Sequence, residues 1–339
     1  MSQLAFVDGA KPTTACPLRE RCLQAMSRID TLSDRKWHFF RREMNPFDFD
    51  FDKSVNRAFY KLWEILSAHP ELIQRPDPRS LHLAEAPGSF VQVMKKRFPR
   101  GSCVAVTRPV TGPGIPDFSP RVRALPGTHL MYADLSSRQS AARFICSQRD
   151  RYDFITADGG VDEKLQYQSK ETLHVNLILA QIVHILCLQA RGGCCVVKIF
   201  ETTSETTIHV LYLLARYYHK CAIIKPCTSR PTNSERYFMC MGFTALKDDT
   251  RALINLITKE PLDGKILFSN VPPDFSEYVQ RHSDELTARQ ADHINQVIAH
   301  IEELDSRHAI LNKRHAREMK RRAYREWCAY FGYDGSTDP

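Results

Sequence analysis

The 339-residue chain has no CxxC pair, no GxGxxG turn, no internal repeat, no low-complexity tract and no long apolar run. Each absence closes off a class of protein. The N-terminus lacks a positively charged segment followed by an apolar core, so no secretory signal is expected. The longest apolar stretch, around Leu177 to Leu188, is interrupted by Gln181 and His184. It is too short and too polar to span a bilayer, which predicts a soluble protein without a membrane partner. The eleven cysteines lack the spaced ligand pairs of a zinc site, and Cys194-Cys195 are adjacent within an apparent buried strand. Reduced core thiols in a nucleus or cytoplasm (that of a host cell, if the source is viral) are therefore expected, with no metal.

What is present is an ordinary globular composition, 43% hydrophobic and 25% charged, long enough for one large α/β domain with extensions or for two domains. The formal charge of +8 is unevenly spread. From Arg307 to Glu326 there are eight Lys/Arg against two Glu. Such a segment suits a polyanion such as nucleic acid, and it equally suits a solvated helix face.

Residues 1 to about 50 read as an irregular extension with aromatic anchors, among them Trp37, Phe39 and Phe40, whose expected role is core or docking ahead of base stacking. SVNRAFYKLWEILS, 54–67, reads as an amphipathic helix with Ser54 as N-cap. After the RPDPRS break come short apolar runs at SLHLAEA, SCVAVT, HLMYAD, YDFITADGG, GCCVVKIF, CAIIKP and RYFMCMGF, with helical patterns at 88–98, 137–147, 167–190 and 204–219 between most of them. This alternation predicts an α/β domain over 51–250: a mostly parallel, doubly wound, seven-stranded sheet with helices on both faces. Its ligands would bind at the carboxyl ends of the strands. Residues 251–339 form a third segment, helical and basic. Within it 283–331 reads as long and helical, with Trp327, Tyr330 and Phe331 as docking anchors.

The unusual polar residues cluster at the strand ends. AEAPGSF, 84–90, is a small-residue turn that lets backbone amides approach a ligand. Asp158 ends the fourth strand, followed by two glycines. Lys198, between Val197 and Ile199, would be partly buried in a central strand, and a buried ammonium needs carboxylate partners or a depressed pKa. Asp158 and Glu235, at the start of the last strand, are the candidate partners. A charge pair that only ties strand ends together has comparable weight on these residues alone.

In order and local context, Lys61 in NRAFYK, Asp158 in ADGG, Lys198 in VVKIFE and Glu235 in NSERY resemble the Lys-Asp-Lys-Glu tetrad of FtsJ-like ribose 2′-O-methyltransferases. AEAPGSF resembles that family's S-adenosylmethionine loop, and KPCTSRPTNSERYFMC is closer to the eukaryotic and viral mRNA cap methyltransferases than to the ribosomal RNA branch. The resemblance spans about residues 54–243. It implies a Rossmann-like S-adenosylmethionine-dependent methyltransferase with Lys61, Asp158, Lys198 and Glu235 as catalytic residues. It implies a cofactor bordered by Ala86, Pro87, Gly88, Ser89, Phe90, Thr107, Asp134, Leu135 and Asp158, with Asp134 reading the adenine. It also implies substrate contacts from Asn56 and Asn233, with Ser234 alongside. For Arg57 and Arg230 contact with RNA phosphates outweighs a surface salt bridge, and Arg108 divides evenly between the two. Capped mRNA, with other capping or transcription proteins, would be the partner. His82, where the family carries Asp, and Glu85, Ser89 and Thr107 depart from its pattern and bear on cofactor affinity more than on the catalytic step.

The chemistry needs these residue types. A ribose 2′-hydroxyl is a poor nucleophile, so the protein must align it with the donor methyl and favour loss of its proton. Lys198, with its pKa lowered by burial and by the like charge of Lys61, would accept that proton or stabilise the alkoxide. Asp158 and Glu235 would orient Lys198, the four groups titrating together. This displacement requires no metal. The alternatives are a non-catalytic RNA-binding subunit on the same fold, a ribosomal or transfer RNA 2′-O-methyltransferase and, more distantly, a nucleotide-dependent dehydrogenase.

Overall fold

The computed structural model describes residues 4, 6–8, 17–112, 114–160, 167–262, 264–307 and 311–335, with the backbone alone at 167–173. Every apolar run read from the sequence is a strand of one sheet. These are β2 (Arg79–Leu83), β3 (Ser102–Thr107), β4 (Thr128–Tyr132), β5 (Tyr152–Ala157), β6 (Gln189–Ile199), β7 (Tyr218–Ile224) and β8 (Arg236–Phe243). A separate two-residue pairing joins β1 (Val7–Asp8) to β9 (Lys265–Ile266). The main sheet has the order β4-β3-β2-β5-β6-β8-β7. All its pairings are parallel except those of β8, which runs antiparallel to both β6 and β7.

Two features of this order place a site. The chain leaves β2 toward β3 and β4, then returns to β5 on the other side of β2, so the carboxyl ends of β2 and β5 flank a topological switch point. The reversal of β8 then brings its first residues to that same edge, with Arg236 opposite Ile199 and Tyr237 opposite Lys198. A residue that begins β8 therefore stands beside one that ends β6.

Side chains alternate across the sheet with period two. Leu81, Leu83, Ile155, Ala157 and Val197 face a core closed by α6 (Arg138–Ser147), α7 (Tyr167–Leu188) and α8 (Glu205–Ala215). Phe154, Val196, Tyr237 and Met239 face the other side, under α3 (Ala58–Ala68) and α4 (Ser89–Arg97). The short helices α5 (Pro120–Arg123) and α9 (Thr250–Leu256) were not expected from the sequence. His82 lies on the second face and is fully buried, with Nδ1 2.8 Å from Thr156 Oγ1 and Nε2 2.9 Å from Ser80 Oγ. Burial pushes its pKa down to about 3, so it is a neutral core imidazole held by two hydroxyls.

The flanking segments differ from expectation. The N-terminal segment carries two helices, α1 (Pro17–Ile29) and α2 (Asp34–Glu43), instead of irregular chain. Their apolar faces, with Cys22, Met26, Trp37 and Phe40 buried, close on Ala291, Ile294 and Ile298 of α10 (Pro273–Ser306). The helical segment expected over 283–331 falls into two helices, α10 and α11 (Lys313–Tyr330). Helix α3 starts at Ala58, since Asn56 Oδ1 accepts from the Ala58 amide at 2.7 Å, while Ser54 spends its own amide on Asp52 Oδ1. Trp327 is 2% exposed and rests on Phe49 and Tyr60, whereas Tyr330, also expected to dock, is 82% exposed. Among the described residues, no cysteine is in a disulfide and no helix is long and apolar enough to cross a membrane.

Candidate active site

The carboxyl edge of the sheet holds two lysine–carboxylate pairs. Lys198, on β6, places Nζ 2.5 Å from the Asp158 carbonyl oxygen and 3.3 Å from its Oδ1. Lys61, on α3, places Nζ 2.6 Å from Glu235 Oε1. All four side chains are mostly enclosed, between 10 and 18% exposed. The requirement that Lys198 have a carboxylate partner is met by Asp158. Glu235 was expected to hold Lys198; its direct partner is Lys61, because the register sets Tyr237 opposite Lys198.

Tyr237 joins the two pairs. Its hydroxyl lies 3.3 Å from both Asp158 Oδ1 and Glu235 Oε1, so one proton is shared between two carboxylates. Burial, with both negative charges, pushes this phenol far above the ordinary tyrosine range. Glu235 also accepts from Ser229 Oγ at 3.1 Å. Burial alone would raise its pKa, but the charges of Lys61 and Lys198 outweigh it and hold the carboxyl down at about 2.

The loop before β8 is fixed from inside. Lys225 Nζ donates to the carbonyls of Glu235 (2.6 Å) and Asn233 (2.9 Å) and to Asn233 Oδ1 (3.1 Å). Burial lowers its pKa to about 7 against the pull of Glu235. Glu64, one turn past Lys61 on α3, accepts from the amides of Cys227 and Thr228 and from Thr228 Oγ1. The helix that presents Lys61 is thus bonded to the loop that presents Glu235. Tyr237, Ser229, Lys225 and Glu64 were not singled out in the sequence. A tyrosine two residues after Glu235, on the same face of a strand, is the one signal that would have found Tyr237.

On the cofactor side, AEAPGSF leaves β2 through Ala84 at φ 55° and enters α4 through Gly88 at φ 107°. A Cβ on Gly88 would lie 2.6 Å from Val122 Cγ2 of α5, so this turn has room only for glycine. Glu85 folds under the turn, and its carboxylate accepts from the Phe90 amide (2.7 Å) and the Val91 amide (3.2 Å) at the start of α4. Burial, then the Asp158 charge, raises Glu85 well above the usual carboxylate range. This donor set suits a ligand without phosphate: the helix amides that would cradle a pyrophosphate already serve a protein carboxylate. It fits the sulfonium donor and disfavours a dinucleotide.

Around this turn Ala86 and Pro87 are partly buried, Ser89, Thr107 and Leu135 are buried, and Asp134 holds Ser136 through its amide and hydroxyl. Phe90 was expected to border the cofactor, but its side chain is fully buried in the core beneath α4. Asp158 serves both sides, and the Gly159 beyond it packs so closely on Gln181 that a Cβ would lie 2.6 Å from Oε1.

The substrate-side residues are mostly engaged with one another. Asn56 is exposed and its Oδ1 takes the Ser89 hydroxyl at 2.8 Å, so the serine that departs from the family pattern ties the cofactor turn to the entry of α3. Arg57 and Arg230 were expected to favour RNA over a salt bridge; both pair with buried Asp48, at 3.1 and 3.3 Å. Burial pushes Arg57 down to about 10. Arg108 is exposed; Ser234, partly buried, accepts from Arg236 Nε. Among the described residues no group of three or more His, Cys, Asp or Glu could hold a metal ion.

Comparison with known proteins bears on this geometry. Cap-specific mRNA (nucleoside-2′-O-)-methyltransferase 1 of Dictyostelium discoideum is 29% identical over 177 residues, which cover 50% of this chain and 23% of that protein. Cap-specific mRNA (nucleoside-2′-O-)-methyltransferase 2 of Drosophila melanogaster is 26% identical over 297 residues, 76% of this chain and 42% of that protein. The cap-specific mRNA (nucleoside-2′-O-)-methyltransferase of Autographa californica nuclear polyhedrosis virus is 38% identical over 90 residues, 26% of this chain and 34% of that protein. The matched part is less than half the length of each. The FtsJ-like methyltransferase family profile matches residues 54–243, from the entry of α3 to the end of β8. That span is more than half of the chain and contains the sheet, the turn below Gly88 and both lysine–carboxylate pairs: the chain belongs to the FtsJ-like methyltransferase family.

Proposed function

We propose that this protein transfers a methyl group from S-adenosylmethionine to the 2′-hydroxyl of a ribose near the capped 5′ end of mRNA. The observation that carries the reading is the pairing of Lys198 with Asp158 and of Lys61 with Glu235 across one tyrosine hydroxyl. Bound S-adenosylmethionine supplies a methyl already activated on a positive sulfur. Ala86, Pro87, Gly88, Ser89, Thr107, Asp134, Leu135 and Asp158 would hold it. The residues of this chain do the rest. The Lys198 amine would take the proton of the ribose hydroxyl as that oxygen is methylated, and Asp158 would hold the ammonium that results. Lys61, kept in place by Glu235, adds positive charge where the oxygen develops negative charge. Exposed Asn56, with Asn233 and Ser234, borders the ribose and its flanking phosphates. The names of the relatives support the cap as the target, and capping or transcription proteins in the nucleus, or in a host cell, are the partners this reading implies.

Methyl transfer from labelled S-adenosylmethionine tests the reading on three RNAs: a short capped RNA, its uncapped twin, and a capped RNA already methylated at the first ribose. Transfer confined to the first fixes a first-nucleotide cap enzyme. Transfer to both capped RNAs moves the target inward. Equal transfer to the uncapped twin replaces the cap by another RNA, and no transfer together with tight RNA binding replaces the enzyme by a binding subunit.

The turn at Gly88 gives a separate expectation. Gly88→Ala combines an unfavourable positive φ with a collision against Val122, and should weaken S-adenosylmethionine binding at least tenfold by calorimetry. Val122→Ala in the same chain should restore part of the loss. An affinity equal to that of the parent would mean that the turn does not border the donor.

A further inference from the structure

Helix α11 carries a cleft of about 440 Å³ lined by Phe51, Glu318, Arg321, Tyr324 and Arg325. Its charges sort into two groups. Arg314 pairs with Glu318, Arg322 with Glu326, and Lys320 with Glu43 of α2, each at 2.8–3.0 Å, while Lys313 lies over the Phe39 ring. Arg317, Arg321 and Arg325 are exposed, recur every fourth residue along one helix face, and have no carboxylate partner among the described residues. At the cleft the local charge is therefore positive, since Glu318 is already neutralised by Arg314. Its other wall is aromatic. Phe51 and Tyr324 are partly buried, with ring centroids 5.4 Å apart, and Tyr324 is fixed by its hydroxyl on Asp52 Oδ2.

The cleft is close to the active centre along the chain. Phe51 precedes Asn56 by five residues, which can separate them by no more than about 18 Å. Between them exposed Lys53 receives the Arg121 guanidinium of α5 on its carbonyl, and Val122 of α5 abuts Gly88. Unpaired guanidinium groups beside a partly exposed aromatic pair are the elements that hold a single strand: the cations take phosphates and the ring faces take a base.

We propose that this cleft binds a nucleotide of the substrate RNA strand other than the one being methylated, with Arg321 and Arg325 on its phosphates and the Phe51–Tyr324 edge against its base. The inference rests on the RNA reading of the active site. It assigns to α11 a share of RNA affinity that the lysine–carboxylate pairs do not provide.

The test is fluorescence anisotropy of the full chain with a labelled, capped 20-nucleotide RNA, parent against Arg321→Glu/Arg325→Glu. Both side chains are exposed and unpaired, so the thermal midpoint and the S-adenosylmethionine affinity should stay at the parent values. The RNA Kd should rise at least tenfold. The slope of log affinity against log salt should become shallower by about 1.4, the share of two phosphates on a single strand. Phe51→Leu, which keeps the apolar volume and removes the ring, should raise Kd about fivefold with the salt slope unchanged, since stacking carries no counterion term. An RNA Kd and salt slope equal to those of the parent in the charge-reversed chain would overturn the proposal and leave the cleft to an acidic protein partner or to solvent. That result would stand apart from a failure of the functional reading, in which the parent itself transfers no methyl group to any RNA.

Discussion

Replacing Lys198 by alanine should lower the single-turnover rate of methyl transfer about a thousandfold while leaving S-adenosylmethionine affinity within a few-fold of the parent. A positioned acid–base group contributes about 10²–10⁴ to rate, the range expected for the amine that takes the hydroxyl proton. The alternative role, a strut tying the end of β6 to the end of β5, predicts the reverse: lower stability with the rate per folded molecule intact. Asp158 would keep a partner in Lys198→Ala, since the Tyr237 hydroxyl still reaches Oδ1, so the variant should fold. Lys198→Arg separates charge from proton acceptance, because a guanidinium does not give up its proton near neutral pH. It should be nearly as slow as alanine. A rate in Lys198→Ala equal to that of the parent would remove Lys198 from the reaction.

Glu235→Ala should cost stability more than any other single change at this edge, about 3–5 kcal/mol, because it leaves the Lys61 ammonium only 13% exposed and without its carboxylate. Ser229 and Tyr237 lose an acceptor in the same step. The pair also predicts a pH signature. Glu235 in the folded chain titrates at about 2, below the 4.5 of the free side chain. Its contribution is therefore complete above about pH 4.5 and is lost as pH falls through the folded value. The stability gap between the parent and Glu235→Gln should narrow by up to about 3 kcal/mol as pH falls from about 5 toward 2. Urea unfolding of both chains at several pH values measures this. A gap that stays constant from pH 5 to 3 would mean that Lys61 does not stabilise the Glu235 charge.

Much of this site was legible before any coordinates, and the reason is local. The seven strands announced themselves as short apolar runs between turn-forming residues, and Asp158, Lys198 and Glu235 each stand where a polar residue interrupts such a run or ends it. The partner of each charge was not legible, because it depends on register. One residue of slip between β6 and β8 would put Arg236 or Phe238 opposite Lys198 instead of Tyr237, and nothing within either strand sets that alignment. Asp48 illustrates the same limit from the other direction. Arg57 and Arg230 read as RNA contacts ahead of salt bridges because Asp48, which pairs with both, is buried and lies 182 residues from Arg230. Helices α1 and α2 were read as irregular because their apolar faces are completed only by α10, more than 200 residues later. His82 was read as a departure at the cofactor, whereas strand alternation turns it into the core between Ser80 and Thr156.

Helix α3 is closed from the far end of the chain. Trp63 Nε1 and Ser67 Oγ both donate to the Phe331 carbonyl, and the Tyr333 ring lies 4.9 Å from that of Trp63. On a ribosome, the whole sheet emerges before any of these covering residues does. A nascent chain at that stage has Lys61 on a helix whose Trp63 face is still open to water and to chaperones. The helix that carries Lys61 is therefore covered only after the sheet is made, and methylation competence should appear only after residue 333 has left the exit tunnel.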